Sequence, residues 1–198
     1  FGEVIWLEKA NAFSPKRYYD LPAIKKEANM YAKWQHSWAT NFTSYIDLQY
    51  RNVSHRMDGF HNNPTLNINR SFGFFNPKIG YQYNKNGWVH YASYAIGQKE
   101  PNRDDFEAGA ATQPNPERLQ DLEIGLEKRN KKTNWSANFY YMRYKDQLVL
   151  TGKINDVGAY TRMNVPNSYR LGIELMHTTI LTDKLQLSSN VTLSRNKI

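Results

Sequence analysis

The chain has 198 residues, no cysteine, and a formal net charge of +8 at neutral pH with a pI near 9.5. Its length suits one domain with a sizeable core, and the lack of cysteine excludes disulfide scaffolds, thiolate zinc sites and cysteine nucleophiles. Apolar residues make up only 40% and the mean hydropathy is −0.76, yet aromatics reach 14%, a balance suited to surfaces and interfaces rather than a dense interior.

The positive charge admits an anionic partner, whether nucleic acid, phosphate-bearing lipid or acidic ligand. Lys and Arg simply solvated on loops and turns are the plainer account of it. No run approaches the roughly 18 apolar residues of a membrane helix, and Phe1–Ala10 has neither the basic start nor the apolar stretch of a secretory signal. Any membrane role therefore falls to strands. The chain starts without Met and stops at Arg195-Asn196-Lys197-Ile198 within a strand-like run, so it reads as a segment of something larger, with no internal domain boundary.

In chain order, Phe13–Tyr31 holds Pro15, Pro22 and a charged Ala23–Ala28 stretch, and reads as a loop with a helical turn leading into a strand. Met30, Ala32, Trp34 and Trp38 then share a face opposite Lys33, Gln35 and Ser37. A tight joint, Trp38–Asn41, leads to Ile46, Leu48 and Tyr50 opposite Asp47, Gln49 and Arg51. A long polar excursion, Asn52–Ser71, precedes Ile79, Tyr81 and Tyr83 opposite Lys78, Gln82 and Asn84. Asn86-Gly87 in the joint Asn84–Gly87 predicts a type I′ hairpin, because both residues tolerate positive φ.

A second excursion, Gln98–Arg118, leads to Leu122, Ile124 and Leu126 opposite Asp121, Glu123 and Glu127. The joint Lys128–Asn134, a strand near Tyr140–Leu148 and a third excursion, Thr151–Asn167, follow. Tyr169, Leu171, Ile173 and Leu175 oppose Ser168, Arg170 and Glu174; after the joint Leu181–Lys184, Leu185, Leu187, Val191 and Leu193 oppose Gln186, Ser188, Asn190, Thr192 and Ser194. This period of two predicts about eight strands of about 10 residues or more, near the length that crosses a bilayer. Joints alternate strictly between short and long. In an up-and-down meander that places every long loop on one side, as in a transmembrane barrel with short periplasmic turns and longer extracellular loops. The charged polar face suits a hydrated lumen, and the aromatics at strand ends, Trp38, Phe42, Tyr83, Trp88 and Trp135, suit an interfacial girdle. Core aromatics of a soluble sandwich are the competing reading.

A series of motifs carries a resemblance. Asn76-Pro77-Lys78-Ile79-Gly80-Tyr81 is followed by Tyr91-Ala92-Ser93-Tyr94-Ala95-Ile96-Gly97 and by Lys99-Glu100-Pro101-Asn102-Arg103. Then come Pro116–Leu126, Tyr140–Leu148, Asn164-Val165 and Tyr169–Leu175. In order and spacing the series resembles the C-terminal half of the barrel of TonB-dependent outer-membrane receptors, well over residues 72–198 and loosely over 29–71. The resemblance implies residues 1–198 as part of a barrel of about 22 strands with a plugged lumen, the plug and remaining strands lying outside the chain. It further implies a bacterial outer-membrane location and gated uptake driven by the TonB energising complex, with an iron chelate of siderophore type as the expected ligand and outer-membrane lipid around the wall. Such a chelate is cargo, so no cofactor is expected. The loop boxes of the family's haem receptors are not matched: Gln98-Lys99-Glu100-Pro101 and Gln113-Pro114-Asn115-Pro116 stand in their place with no histidine between. Pro166 stands where the family often has Gly after Asn-Val.

Candidate ligand contacts on the long loops are Arg56, His61, Arg103, Asp104 and Arg162. Each has a plainer reading. His55 and His61 match no zinc spacing and read as solvated loop histidines, and Arg103-Asp104-Asp105 can order its loop through Asx turns and ion pairs. No Gly-x-Ser-x-Gly elbow or phosphate-cradling Gly motif occurs, and no paired carboxylates are set for hydrolysis, so enzymatic activity is not expected. The basic cluster Lys128–Lys132 lacks interleaved aromatics; it reads as a solvated turn, and nucleic acid is not an expected partner. Two other classes remain: a soluble β-sandwich binding carbohydrate through exposed Trp and Tyr, and an outer-membrane hydrolase.

Overall fold

The computed structural model describes residues 21–60, 63–108, 113–154 and 160–198. They form β1 (Ala23–Ala39), β2 (Phe42–Asp58), β3 (Asn67–Lys85), β4 (Trp88–Lys99), a short helix α1 (Arg103–Ala108), β5 (Glu117–Arg129), β6 (Thr133–Ile154), β7 (Tyr160–Thr182) and β8 (Leu185–Lys197). Each strand pairs antiparallel with the next, giving one eight-stranded sheet in chain order. Among the described residues β1 and β8 are its edges. This is the expected all-β, up-and-down meander, and all four tight joints fall between strands on one side. Asn86 and Gly87 adopt φ of 52° and 76°, the type I′ signature.

Register explains the alternation. One rung runs Trp34, Ile46, Ile79, Tyr94, Leu122, Tyr141 and Leu171 across β1 to β7. The adjacent rung, on the opposite face, includes Lys33, Asp47, Lys78, Asp121 and Arg170. The first face is apolar and exposed, with Trp34, Ile46, Ile79 and Ile124 open to the surroundings. The second is polar. We call them outward and inward.

Three features depart from the sequence expectations. Ala23–Ala28 is not a helical turn; it is the start of β1, paired from Ala23↔Met57 onward. Its charges sit on a ladder whose backbone hydrogen bonds need no apolar face. The excursions are also shorter than their polarity suggests, because Asn52–Asp58 and Asn67–Ser71 belong to β2 and β3, while Thr151–Ile154 and Tyr160–Asn167 belong to β6 and β7. At roughly 3.3 Å per residue, the 17-residue β2 is about 55 Å long, and even when tilted it rises well past an apolar band about 25 Å tall. Beyond that band the faces exchange character: Asn52, Ser54 and Arg56 point outward, while Val53, His55 and Met57 are buried inward. Finally, α1 was not anticipated in Gln98–Arg118.

The only enclosed apolar cluster among the described residues lies at this rim. Val53, Met57, Ile68, Phe72 and Phe74 from β2 and β3 meet Phe60 and, from α1, Phe106. A six-residue helix is too short to persist alone, so this packing holds it.

Candidate functional site

The long-loop rim is assembled from β1, β2, the segment around α1 and the upper part of β7. Asn102 caps α1: its side-chain oxygen accepts the Asp105 N–H at 2.9 Å, and Asp105 accepts the Asn102 N–H at 2.8 Å, a reciprocal capping box. The other oxygen of Asp105 accepts Arg162 Nη1 at 2.8 Å, tying the helix to β7. Arg103 donates to the Gly59 carbonyl at 3.2 Å, and its guanidinium lies 4.6 Å from the Phe60 ring centroid. The helix is thus fastened to two neighbouring segments by charge and by Phe106.

Ahead of α1, Glu100 reaches the inward face of the wall. Its carboxylate receives both terminal nitrogens of Arg51 at 2.8 Å and Lys25 Nζ at 2.9 Å. Arg51 Nε also donates to Glu27 at 2.6 Å. Burial pushes the Glu100 carboxyl up, but Arg51 and Lys25 outweigh it and hold it down to about 2. Fork-to-fork pairing of this kind is directional as well as strong. The cluster therefore fixes where the segment leaves β4.

The sequence candidates divide by position. Arg103, the first residue of α1, and Arg162 of β7 both fasten the α1 segment, each through its own partner. Asp104 is exposed on its first turn. Arg56 lies on the outward face, 3.4 Å from Asp58, away from the other candidates. His61 lies outside the described residues. His55 belongs to β2 and is buried rather than solvated on a loop; its ring faces Phe72 and Phe106, and among the described residues its Nε2 has no hydrogen-bond partner.

Sequence reasoning placed Arg170 on the polar face but offered neither it nor Arg70 as a ligand contact. Arg70 lies 5.3 Å from the Phe72 ring centroid and Arg170 lies 5.6 Å from that of Tyr144. Among the described residues neither is paired with an acid. The parity of Arg170 was available from alternation, that of Arg70 was hidden within the Asn52–Ser71 excursion, and the aromatic neighbours of both depend on register. Lower on the same face a polar groove of about 410 Å³ is lined by Lys33, Tyr45, Lys78, Gln82, Tyr91 and Glu123, among others. Among the described residues no group of three or more His, Asp or Glu is placed to hold a metal ion. The arrangement offers binding surfaces of cations and aromatic rings around fixed ion pairs.

The family model described as TonB dependent receptor-like, beta-barrel matches residues 8–197. Among solved structures, the copper transporter OprC superposes with a TM-score of 0.78 at 17% identity, over 88% of this chain and 29% of that one. The FrpB iron transporter from Neisseria meningitidis (F3-3 variant) gives 0.69 at 19%, over 91% and 27%. The alcaligin outer-membrane receptor FauA from Bordetella pertussis gives 0.64 at 15%, over 89% and 31%. The chain thus spans about three tenths of the length of these proteins. Among curated proteins none matches it by sequence.

Proposed function

The chain belongs to the TonB-dependent receptor β-barrel family, and from that premise we propose that it supplies eight adjacent wall strands of a receptor that takes up an anionic metal chelate, iron being the metal. Proteins of this family reside in the bacterial outer membrane, which accounts for the exposed apolar face. A carbohydrate-binding sandwich is not favoured, since the described residues form one sheet with no second layer. Binding followed by gated passage needs no covalent chemistry from these residues. The plug and the remaining strands would come from other parts of the receptor, with TonB supplying the work that moves the plug.

The observation that carries the reading is the pair of inward cations, Arg70 on Phe72 and Arg170 on Tyr144, held over aromatic rings without an acidic partner. A cation backed by a ring in a polar lumen suits an anionic, aromatic-bearing chelate. In this reading Arg103 and Arg162 position the loop, while Asp104, Arg70 and Arg170 are free to touch the ligand. The full receptor carrying Arg70→Ala and Arg170→Ala, given radio-iron as ferric tris-catecholate and tris-hydroxamate chelates, should lose about tenfold in cell-surface affinity for one of them. Unchanged affinity for every chelate the wild type binds would remove these cations from the site.

One observation favours a second reading, a soft transition-metal ion. The partnerless Nε2 of His55 and the thioether of Met57 lie on one inward face, two residues apart, and imidazole with thioether suits copper. In the same assay His55→Ala would then abolish copper accumulation and spare every iron chelate.

A further inference from the structure

On the outward face, directly beyond the apolar rungs on the long-loop side, register gathers cations. Arg118 of β5 stands opposite Lys145 of β6, which stands opposite Asn167 of β7. The next outward rung toward the membrane runs Gln120, Arg143, Tyr169 and Lys197 across β5 to β8. Arg118, Gln120, Arg143, Lys145 and Asn167 line a shallow groove of about 180 Å³. Its described lining comprises three cations, two amides and no acid. Among the described residues none of Arg118, Arg143 and Lys145 has an ion-pair partner.

Several other basic groups of the chain are compensated by the protein. At the opposite rim Lys128 donates to the Asn86 carbonyl and lies over Trp88, and Arg129 pairs with Glu127. Inside, Arg51 is shared by two carboxylates. Like charges set directly across a ladder destabilise it, and here the Arg118–Lys145 pair is left without compensation from the protein. Immediately below the groove come Leu122, Tyr141 and Leu171, then Ile124, Phe139 and Ile173. An occupant must therefore bring negative charge at one height and hydrocarbon just beneath it, on the face turned away from the lumen.

We propose that this groove binds the phosphate of a phosphorylated glycolipid in the outer leaflet, with the acyl chains lying on the apolar rungs. Arg143 and Lys145 bracket the phosphate from one strand, and Arg118 closes it from the next. Gln120 and Asn167 supply amide hydrogen bonds to the sugar hydroxyls. The lumen plays no part, so the site is independent of which nutrient is carried.

The test uses the whole receptor, purified in neutral detergent and stripped of lipid, with bis-phosphorylated lipid A as probe and native mass spectrometry as readout. Wild-type receptor should retain lipid A and not its dephosphorylated form. Arg143→Gln with Lys145→Gln should weaken retention by about tenfold or more, the loss of two charge-assisted bonds, while Lys131→Gln with Lys132→Gln at the other rim should leave it unchanged. If the double variant fails to insert, Arg118→Gln alone, read by the same assay, should still weaken retention severalfold. Wild-type retention in the inserted variants would overturn the proposal. So would equal retention of dephosphorylated lipid A, or displacement of lipid A by millimolar inorganic phosphate, which would make the groove a simple phosphate site.

Discussion

Through the middle of the sheet Trp34, Ile46, Ile79 and Ile124 remain open to the surroundings, whereas at the long-loop rim Val53, Phe60, Phe74 and Phe106 are fully enclosed. The same strands build both regions. In the wall, side chains meet lipid outside and polar groups inside, so cohesion comes from the continuous backbone ladder. In the rim, the strands have outrun the apolar band, and a small globular core forms on the inward face with α1 as its lid. The comparison teaches that loop order and barrel stability are separable here, since different atoms hold them.

The largest effect that would sharpen this separation is Phe106→Ala. Emptying a fully buried phenylalanine site costs about 3–5 kcal/mol, more than the partly exposed Asp105–Arg162 and Arg103–Gly59 contacts of α1 can offset. In the full receptor, amides of α1 should exchange hydrogen roughly two to three orders of magnitude faster. Those of the wall, such as Ile46 and Ile79, should not change. Equal acceleration in both regions would break the comparison, because rim and wall would then open as one unit.

Glu100 comes next. Its folded carboxyl is depressed from 4.5 to about 2 against the pull of burial, so the attachment it makes is fully present above the ordinary carboxylate range. That attachment is lost as pH falls toward 2, and the shift corresponds to about 3 kcal/mol. Protease cleavage within residues 100–116 of the full receptor should thus stay slow from pH 7 to 5 and rise steeply between pH 4 and 2, with an acid-tolerant protease. Glu100→Gln should show the fast rate at every pH. A flat profile in the wild type would mean that the α1 contacts of Arg103, Asp105 and Phe106 fasten the segment without Glu100.

These two contacts also mark where sequence reading stopped. The wall was legible because alternation and the Asn86-Gly87 turn are local signals, each decided within a few residues. The rim was not. Arg51 and Glu100 are 49 residues apart, and only the β2–β3–β4 register brings them together. The exchange of faces at Val53 erased the periodic signal that would have extended β2 and β3. Some motifs were visible before their reason was. Asn164 donates to the Asn115 and Asp146 carbonyls at 3.0 and 2.6 Å, and Glu117 accepts the Leu148 N–H at 2.8 Å. Asp146 itself has φ of 55°. The motif residues Glu117 and Asn164 therefore surround a third, the positive-φ Asp146, where β6 runs beyond its pairing with β5. Their order along the chain was readable, but their mutual contact was not.

The smallest of these effects concerns the glycines of the wall. Tyr45 lies over Gly80 directly across the ladder, and Tyr140 over Gly172. In each case the ring fills the space a side chain would take, which pins the register as paired aromatic and glycine positions do. The two sites differ in what a methyl group would strike. At Gly80 a Cβ would stand 2.7 Å from the Tyr45 ring, a side chain able to swing aside. At Gly172 it would stand 2.6 Å from the Tyr140 hydroxyl and also 2.7 Å from the Leu193 carbonyl, which belongs to the β8 backbone. Gly172→Ala should therefore cost about 1–3 kcal/mol as an overpacking strain, and Gly80→Ala less. Removing the ring should separate them further: Tyr45→Ala should rescue Gly80→Ala, whereas Tyr140→Ala should leave most of the Gly172→Ala loss in place. The measurement is the temperature at which the full receptor loses its folded mobility in a heat-modifiability gel. Complete rescue of Gly172→Ala by Tyr140→Ala would show that the ring, not the ladder, sets the limit. The wall would then depend on side-chain packing much as the rim does.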